Sequence, residues 1–334
     1  MARTKPAQPP LVITMGEPAG IGPEIILKAW QEKKAGDRPF FYMGGRDALS
    51  VLDPDTPLVE ISHPGQAYDA VRQGLPVLDI PLLETPVPGR LSRANGSVVI
   101  DTLRQAITLV KKGEAGGLVT APIHKKHLYE SGFKFSGHTE YLARKAGLKA
   151  HSVAMMLAVP GLRVVPVTVH LPLSRVSKAL SAELIVEKAG ITHRALKTQF
   201  GIRKPRIAVA ALNPHAGEDG ALGHEEEGII APAIEALQTG GIDASGPYPA
   251  DTLFHPAARK NYDAVLCMYH DQALIPVKTI DFDRGVNVTL GLPFVRTSPD
   301  HGTALDIAGQ NKADPTSLLT AIDLAGKLAA KRHA

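Results

Sequence analysis

The sequence predicts an α/β protein with mostly parallel, doubly wound sheets, arranged as two domains around two cores or as one large α/β unit. Short apolar runs rich in β-branched residues alternate with segments of helical period along most of the chain, which is the pattern of parallel sheets. The length of 334 residues exceeds that of one ordinary domain. Hydrophobic residues make up 44% of the chain and charged residues 21%, as in globular proteins.

A strand, a glycine-rich turn and a helix are predicted near the N-terminus. Leu11–Met15 is a β-branched run, and GEPAGIGPEI follows it, where Pro23 suits the first turn of a helix. The order of the glycines matches neither the dinucleotide-binding nor the phosphate-binding motif, so we interpret this segment as a tight packing turn. Further strands are predicted at Pro39–Met43, Leu58–Ile61 and Gly117–Thr120, and further helices at Ser97–Lys112 and Thr139–Lys145.

Three later apolar runs each end at a histidine. They are VVPVTVH ending at His170, RIAVAALNPH ending at His215 and YDAVLCMYH ending at His270. Pro166, inside the first run, places that run at a sheet edge or a bulge. The helical segments between the runs are Ala182–Lys197 and Glu227–Gln238.

Charge and composition argue against a nucleic-acid or membrane partner. The net charge is +4, but lysines and arginines are spread among acidic residues, and aromatic residues amount to 5%, which leaves few surfaces on which bases could stack. The single cysteine, Cys267, lies in an apolar run, so we interpret it as a buried core residue in a reducing compartment. The N-terminus lacks the apolar run of a signal peptide, and no stretch reaches the roughly 18 apolar residues of a membrane span. We therefore expect a cytoplasmic protein.

The three histidines are candidate metal ligands. In open parallel sheets ligands bind beyond the carboxyl ends of the strands, which is where each histidine falls. One such histidine is more often a hydrogen-bonding residue, but three on successive strands favour a metal. Three imidazoles with an open position are typical of catalytic zinc, and they also suit cobalt, nickel or iron.

The segment Tyr262–Gly309 carries most of the remaining candidate site residues. After its opening apolar run it shows no convincing helical period, which is typical of a functional loop region. Lys278, Asn287 and Arg296 are candidates for a phosphate or carboxylate clamp. Arg296 lies in the apolar GLPFVRTS, where a guanidinium without a partner would be costly, whereas Arg284 is equally well explained as a surface charge.

His138 and Thr139 stand where a glycine-flanked loop enters a predicted helix, in GHTEYLA. Side-chain donors at a helix N-terminus form a natural binding position for an oxyanion or a phosphate. We therefore add these two residues to the predicted anion site.

Longer motifs match one protein family. The segments are TMGEPAGIGPEI, TAPIHK, SGHTEYLA, VTVHLPL, LNPHAGEDG, PADTLF, MYHDQALIPVK, RGVNVTLGLPFVRTSPDHGTALDIAG and KADPTS. Together they closely resemble the 4-hydroxythreonine-4-phosphate dehydrogenases of pyridoxal phosphate biosynthesis, from Leu11 to about Ala325. The resemblance also implies distant kinship with the isopropylmalate and isocitrate dehydrogenases, whose cofactor loop resembles HGTALDIAG.

The resemblance assigns roles to individual residues. It implies that His170, His215 and His270 bind a divalent metal, and that ligands from both chains of a homodimer complete the site. The positions that match the family's substrate contacts are His138, Thr139, Lys278, Asn287 and Arg296.

The implied architecture is that of the isopropylmalate dehydrogenases, with the active site in a cleft between two domains. We expect residues 1–129 and 300–334 to form one α/β domain that includes the cofactor loop. Residues 130–299 are expected to form the metal- and substrate-binding domain through which the chain dimerises.

By resemblance, His301 and Asp306 contact the adenosine half of the cofactor. An ionised Asp306 would accept hydrogen bonds from ribose hydroxyls and repel a 2′-phosphate, so NAD is expected in preference to NADP. Alternatively, Asp306 caps a turn or the following helix. At one position the chain departs from the pattern of these distant relatives. Where they carry an asparagine that contacts the adenine, this chain has Asp314.

The implied reaction is oxidation of a secondary hydroxyl by NAD with a divalent metal: zinc, with magnesium or cobalt as alternatives. A Lewis acid lowers the pKa of the hydroxyl, so that proton loss can accompany hydride transfer. The product, 2-amino-3-oxo-4-(phosphooxy)butanoate, loses carbon dioxide readily because its ketone accepts the electrons, and this yields 3-amino-2-oxopropyl phosphate. Asp251 in PADTLF is a candidate general base or a helix N-cap.

Other functions use the same residues. Erythronate 4-phosphate and threonate 4-phosphate are alternative substrates. Enzymes for the two kinds of substrate would differ only in the protein groups that contact the substrate's amino or hydroxyl substituent. A metal-dependent phosphatase would use the same histidines and cations but has no need of HGTALDIAG, and a non-catalytic phosphosugar sensor is a third possibility.

Overall fold

A computed structural model of the chain describes residues 8–32, 38–135 and 137–332. The chain divides into two compact units: a first unit of Met1–Leu148 with Leu292–Ala334, and a second unit of Lys149–Gly291. The strands are β1 Leu11–Thr14, β2 Phe40–Gly44, β3 Leu58–Glu60, β4 Leu75–Asp79, β5 Gly117–Thr120, β6 Ala154–Val159, β7 Leu162–Pro166, β8 Arg206–Ala210, β9 Asp243–Tyr248, β10 Ala264–Cys267, β11 Val286–Leu290 and β12 Arg296–Pro299. The α-helices are α1 Gly22–Glu32, α2 Asp47–Ser50, α3 Ala67–Ala70, α4 Gly96–Lys112, α5 Lys125–Glu130, α6 His138–Lys145, α7 Val176–Ala179, α8 Ala182–Thr198, α9 Ala231–Thr239, α10 His270–Ile280 and α11 Thr316–Arg332.

The strands of the first unit lie in the order β3-β4-β2-β1-β5-β12, and every pair is parallel. All residues of β1, β2 and β5 are buried, which explains why they are continuous apolar runs rather than alternating ones. Helix α4 ends at Gly113, which adopts a left-handed conformation with φ of 76°, as expected for a glycine that terminates a helix.

The strands of the second unit lie in the order β11-β6-β7-β10-β8-β9. The pairs from β7 to β9 are parallel, whereas β6 runs antiparallel to both β7 and β11. The core includes Val164, Ala208, Val265 and Cys267, so the interpretation of Cys267 as a core residue is confirmed. The predicted class, α/β with mostly parallel sheets, is likewise confirmed.

Two local predictions need correction. Pro166 lies neither on an edge strand nor at a bulge, because β7 stands between β6 and β10 and Pro166 is its last residue. Proline has no backbone N–H, and at this position the missing donor lies where the hydrogen bonds between β7 and its neighbouring strands end. The segment after the apolar run of Tyr262–Gly309 was expected to lack a helix, but α10 begins at His270. Pro276 inside α10 removes one helical amide, yet Ala273 and Val277, four residues apart, form the buried face.

The boundaries between the units differ from those expected. The expected second domain spans 130–299, whereas the second unit begins at Lys149 and ends at Gly291. Residues 130–148 belong to the first unit because α6 packs against α4. Residues 292–299 belong there because β12 pairs with β5. Among the described residues, no helix combines the length and the apolar character needed to cross a membrane.

Candidate active site

The three predicted metal ligands follow the carboxyl ends of three neighbouring parallel strands in the second unit. His170, His215 and His270 lie three to five residues beyond β7, β8 and β10, and β10 is paired on either side with β7 and β8. The ring centroids of His170 and His270 are 5.8 Å apart. Within the described residues of a single chain, no group of three His, Cys, Asp or Glu side chains is close enough to hold a metal ion. The three-histidine metal site therefore stays a prediction.

Local geometry at the histidines fits metal ligation. His170 and His215 both adopt left-handed backbone conformations, with φ of 53° and 50°, and such strain at non-glycine residues is concentrated in ligand-binding segments. The Nδ1 atom of His270 lies 2.7 Å from Oδ1 of Asp271. A carboxylate at one ring nitrogen orients the imidazole and leaves Nε2 as the ligand atom.

The buried carboxylate of Glu226 fixes the loop that carries His215 through hydrogen bonds. Glu226 accepts hydrogen bonds from the backbone N–H groups of Leu212 and Asn213 at 2.8 and 2.7 Å, and from the side-chain amide of Asn213 at 2.9 Å. Burial raises the pKa of Glu226, but these hydrogen bonds outweigh it, so the pKa is lowered overall. Glu226 is therefore ionised at neutral pH and keeps this loop in place.

In the first unit, the cationic guanidinium of Arg296 lies against the imidazole of His138. Arg296 begins β12 and is only 3% exposed. Its guanidinium donates to Oγ1 of Thr120, at the end of β5, at 2.7 Å, and to Nδ1 of His138, the first residue of α6, at 3.2 Å. Burial lowers the pKa of Arg296 to about 9, so the guanidinium remains charged at neutral pH.

His138 is neutral in this arrangement. Burial, together with the positive charges of Arg296 and Lys125, holds its pKa well below the ordinary value. Because an arginine can only donate, Nδ1 of His138 must accept, and the ring proton lies on Nε2. His138 can therefore donate a hydrogen bond to an anion from Nε2. Thr139, partly buried, is the next residue of α6.

The other predicted substrate residues lie in the second unit. Lys278 is on α10, with its ammonium 4.8 Å from the ring centroid of Phe282. Asn287 lies on β11, opposite Leu157 of β6. Arg284, for which a surface role was equally possible, is exposed, and its Nε donates to Asp281 at 2.6 Å. An exposed ion pair explains Arg284 without a ligand.

The predicted cofactor residues lie in the loop between β12 and α11. His301 and Asp306 are both exposed. Within the described residues the carboxylate of Asp306 caps neither a turn nor α11; that helix is instead capped by Asp314, which accepts from the N–H of Thr316 at 2.7 Å. Hydrogen bonds from Thr316 lower the pKa of Asp314. Cofactor binding by His301 and Asp306 stays a prediction.

The glycine-rich turn after β1 packs closely against this loop. The N–H of Ile21 donates to the carbonyl of Thr303 at 3.0 Å, and a Cβ on Gly20 would lie 2.9 Å from that same carbonyl oxygen. Gly16 has φ of 69°, and a Cβ there would lie 2.4 Å from the carbonyl oxygen of Pro122. These contacts leave no room for side chains, which confirms the interpretation of the segment as a packing turn.

Comparison with known proteins is decisive about the family. A family model described as Pyridoxal phosphate biosynthetic protein PdxA matches residues 36–325. The chain belongs to this PdxA family.

Its relatives match over nearly their whole length. The 4-hydroxythreonine-4-phosphate dehydrogenase of Caulobacter vibrioides is 51% identical over 327 residues, covering 97% of this chain and 98% of that protein. The protein of the same name from Zymomonas mobilis subsp. mobilis is 49% identical over 326 residues, covering 97% of each. The crystal structure of 4-hydroxythreonine-4-phosphate dehydrogenase from Klebsiella pneumoniae has a TM-score of 0.88 at 38% identity, covering 98% of this chain and 99% of that one.

Two buried groups of this PdxA-family chain escaped the sequence-based prediction. Glu17, in the glycine-rich turn, and His127, on α5, are both buried, and Oε2 of Glu17 lies 2.6 Å from Nδ1 of His127. A carboxylate in an otherwise apolar, glycine-rich turn was the available signal, by the same reasoning that singled out Arg296.

Asp251, the candidate base, is exposed and lies within a short 3₁₀ turn, Ala250–Thr252, whose N-cap is Pro249. The helix N-cap interpretation of Asp251 is therefore wrong. Its place after β9 leaves its carboxylate accessible, and its role as a base stays a prediction.

Proposed function

We propose that this chain oxidises the secondary hydroxyl of 4-hydroxythreonine 4-phosphate with NAD in the presence of a divalent metal. The product is 2-amino-3-oxo-4-(phosphooxy)butanoate, a β-keto acid that decarboxylates to 3-amino-2-oxopropyl phosphate. Membership of the PdxA family and the shared name of relatives near 50% identity support this reaction.

The observation that carries the proposal is the buried Arg296 beside a neutral His138. A guanidinium that is only 3% exposed is suited to bind a desolvated anion, because charge-assisted hydrogen bonds offset the cost of burying both charges. In the proposed complex, Arg296 and Nε2 of His138 donate to the substrate phosphate, and the N–H groups at the start of α6 face the same anion. Lys278 and Asn287 are proposed as further substrate contacts.

His170, His215 and His270 would hold the metal, for which zinc is proposed, with magnesium or cobalt as alternatives. When bound, a divalent metal supplies a Lewis acid that favours loss of the proton from the substrate hydroxyl. Asp271 orients His270 for this task, and Glu226 positions the loop of His215. Asp251 is proposed as the base that receives the hydroxyl proton.

NAD is proposed to bind along the loop of His301 and Asp306, with Asp306 accepting hydrogen bonds from ribose hydroxyls. NAD supplies the hydride acceptor. The close packing of Thr303 on the turn after β1 supports a defined shape for this loop.

The chain is proposed to act as a homodimer whose metal site is shared between chains. The segments that carry the histidines also expose large apolar side chains, which suit burial against a second copy. These side chains are Leu171, Leu173, Leu222, Ile275 and Phe282.

Turnover with 4-hydroxythreonine 4-phosphate and NAD, followed by absorbance of the reduced nicotinamide, tests the proposal. Chelation should abolish turnover and added zinc, cobalt or magnesium should restore it. The same absorbance assay is carried out in parallel with erythronate 4-phosphate and threonate 4-phosphate, and released phosphate is measured in each reaction. Faster oxidation of a sugar-acid phosphate would change the substrate, and phosphate release without NAD reduction would replace the dehydrogenase by a phosphatase. No turnover of any kind in metal-loaded protein would favour a sensor.

A further inference from the structure

The short helix α5 lies between β5 and α6 and is firmly attached to the first unit. Its N-cap residue, His124, accepts a hydrogen bond from the N–H of His127 at 3.3 Å. His127 in turn bonds to the buried Glu17, whose own N–H donates to the carbonyl of Pro122 at 2.8 Å. The first residue of α5, Lys125, is therefore presented from a fixed backbone.

The side chain of Lys125 reaches the start of α6. Its Cε and Nζ atoms lie 3.6 and 3.8 Å from the position that a Cβ on Gly137 would occupy. Gly137 is the N-cap residue of α6 and has no side chain with which to cap the helix. The ammonium thus stands beside the N–H groups at a helix N-terminus, where the helix dipole is positive and a second positive charge is unfavourable.

Three positively polarised groups consequently surround His138. Arg296 donates to its Nδ1, α6 begins at it, and the charge of Lys125 acts on it strongly enough to help lower its pKa. Among the described residues, no carboxylate forms an ion pair with Lys125 to offset this accumulation. An anion bound at His138 would offset it, and a dianion would balance the two formal charges of Arg296 and Lys125.

We propose that Lys125 is a further phosphate-binding residue, which together with Arg296 and His138 binds the phosphate dianion of the substrate. The inference rests on the proposed function for the identity of the substrate, but not for the presence of a phosphate site. A carboxylate carries a single charge and has only two oxygens, one fewer than the three donors. Phosphate offers three acceptor oxygens for the three donors.

Binding of inorganic phosphate to the metal-loaded, full-length protein tests the site independently of turnover. Native protein, Lys125→Met and Lys126→Met are titrated with phosphate by NMR, through the imidazole signals of His138 assigned with His138→Asn. Lys126 is the neighbouring exposed lysine of the same helix. We expect Lys125→Met to weaken phosphate binding by about tenfold to a hundredfold, the usual worth of a charge-assisted hydrogen bond, and Lys126→Met to bind as the native protein does. Equal affinity in all three proteins would overturn the proposal.

Steady-state kinetics give the second readout. Lys125→Met should raise KM for 4-hydroxythreonine 4-phosphate by a similar factor with a smaller effect on kcat, and Lys125→Arg should recover part of the loss. On unphosphorylated 4-hydroxythreonine, Lys125→Met should match native protein, whereas an equal loss on both substrates would remove Lys125 from the phosphate. If neither the native protein nor any variant oxidises the substrate, but phosphate binding still depends on Lys125, the proposed function is wrong and the phosphate site is supported. If native protein is active and Lys125→Met resembles Lys126→Met in both assays, only the site fails.

Discussion

The buried guanidinium of Arg296 is the central group of the proposed phosphate site. Replacing Arg296 by alanine removes a desolvated, charge-assisted contact, which should cost about 2–5 kcal/mol of transition-state binding. The measurement is kcat/KM on 4-hydroxythreonine 4-phosphate and on unphosphorylated 4-hydroxythreonine. The loss should be confined to the phosphorylated substrate.

The control for this prediction is Arg284→Ala, because Arg284 is an exposed arginine already paired with Asp281. That variant should retain native kinetics. A large further loss by Arg296→Ala on the unphosphorylated substrate would exclude Arg296 as a phosphate ligand.

His215 is expected to be an indispensable metal ligand. Loss of even an outer-shell partner weakens metal binding by about tenfold to a hundredfold, so His215→Ala should lose its metal and nearly all turnover while remaining folded. Elemental analysis after gel filtration measures the metal content. The matched control is His151→Ala, an exposed histidine whose Nε2 lies 3.9 Å from Oε1 of Glu187. Stoichiometric metal in His215→Ala would show that the ligand assignment is wrong.

Asp306 is expected to select NAD over NADP. Its exposed carboxylate caps no helix or turn among the described residues and remains available to ribose hydroxyls. Asp306→Ser should lower kcat/KM for NAD by about tenfold to a hundredfold, the worth of a hydrogen bond to a charged group, and gain relative efficiency with NADP. Asp323→Ser, on the exposed side of α11, is the control. Equal kcat/KM for NAD and NADP in the native enzyme would show that Asp306 does not select NAD.

At the scale of elements, α1 holds the later part of the loop between β12 and α11, which carries the predicted cofactor residues. Glu24 of α1 accepts from the N–H groups of Gly309 and Ala313 at 3.1 and 3.0 Å. Lys28, one turn later, donates to the carbonyls of Asn311 and Ala313 at 3.0 and 2.7 Å. The salt bridge between Glu24 and Lys28, at 3.1 Å, joins the two halves of this clamp.

Removing the clamp should loosen the cofactor loop. Glu24→Ala leaves two backbone amides without their acceptor, which should cost about 1–3 kcal/mol of unfolding free energy. It should also raise KM for NAD while KM for the phosphorylated substrate and the metal content stay constant. Glu32→Ala, at the exposed end of the same helix, serves as the control. Native stability and native KM for NAD in Glu24→Ala would show that the loop does not depend on this contact.

At the scale of the whole molecule, the exposed apolar side chains near the histidines suit burial in a dimer. Leu173 is 69% exposed and Phe282 is 70% exposed. Leu173→Asp should convert a dimer into monomers and weaken metal binding in the same step, because the shared site would lose the ligands of the second chain. Light scattering coupled to gel filtration measures the mass.

The control for the dimer is Leu83→Asp in the first unit, where the leucine is equally exposed, at 68%. This variant should remain dimeric and metal-loaded. A native protein that is monomeric yet binds metal stoichiometrically would contradict the shared site.

Local features were predictable wherever neighbouring residues suffice to specify them. The apolar runs became β1, β5 and β10, and the helix ending at Gly113 formed as predicted. Helix α10 was missed because Pro276 interrupts its pattern, although the buried pair Ala273 and Val277 carries the helical spacing. The domain boundaries shifted because they depend on strand pairing and not on composition.

The sequence by itself determined the α/β class and the family, and it supplied the residues of the candidate site, since these depend on the period and identity of residues near one another. The tertiary structure alone decided which groups meet. Arg296 and His138 are 158 residues apart in the chain, Glu17 and His127 are 110 apart, and Glu24 and Ala313 are 289 apart. Such pairs depend on the order in which strands assemble into a sheet, and no local pattern of polarity records that order.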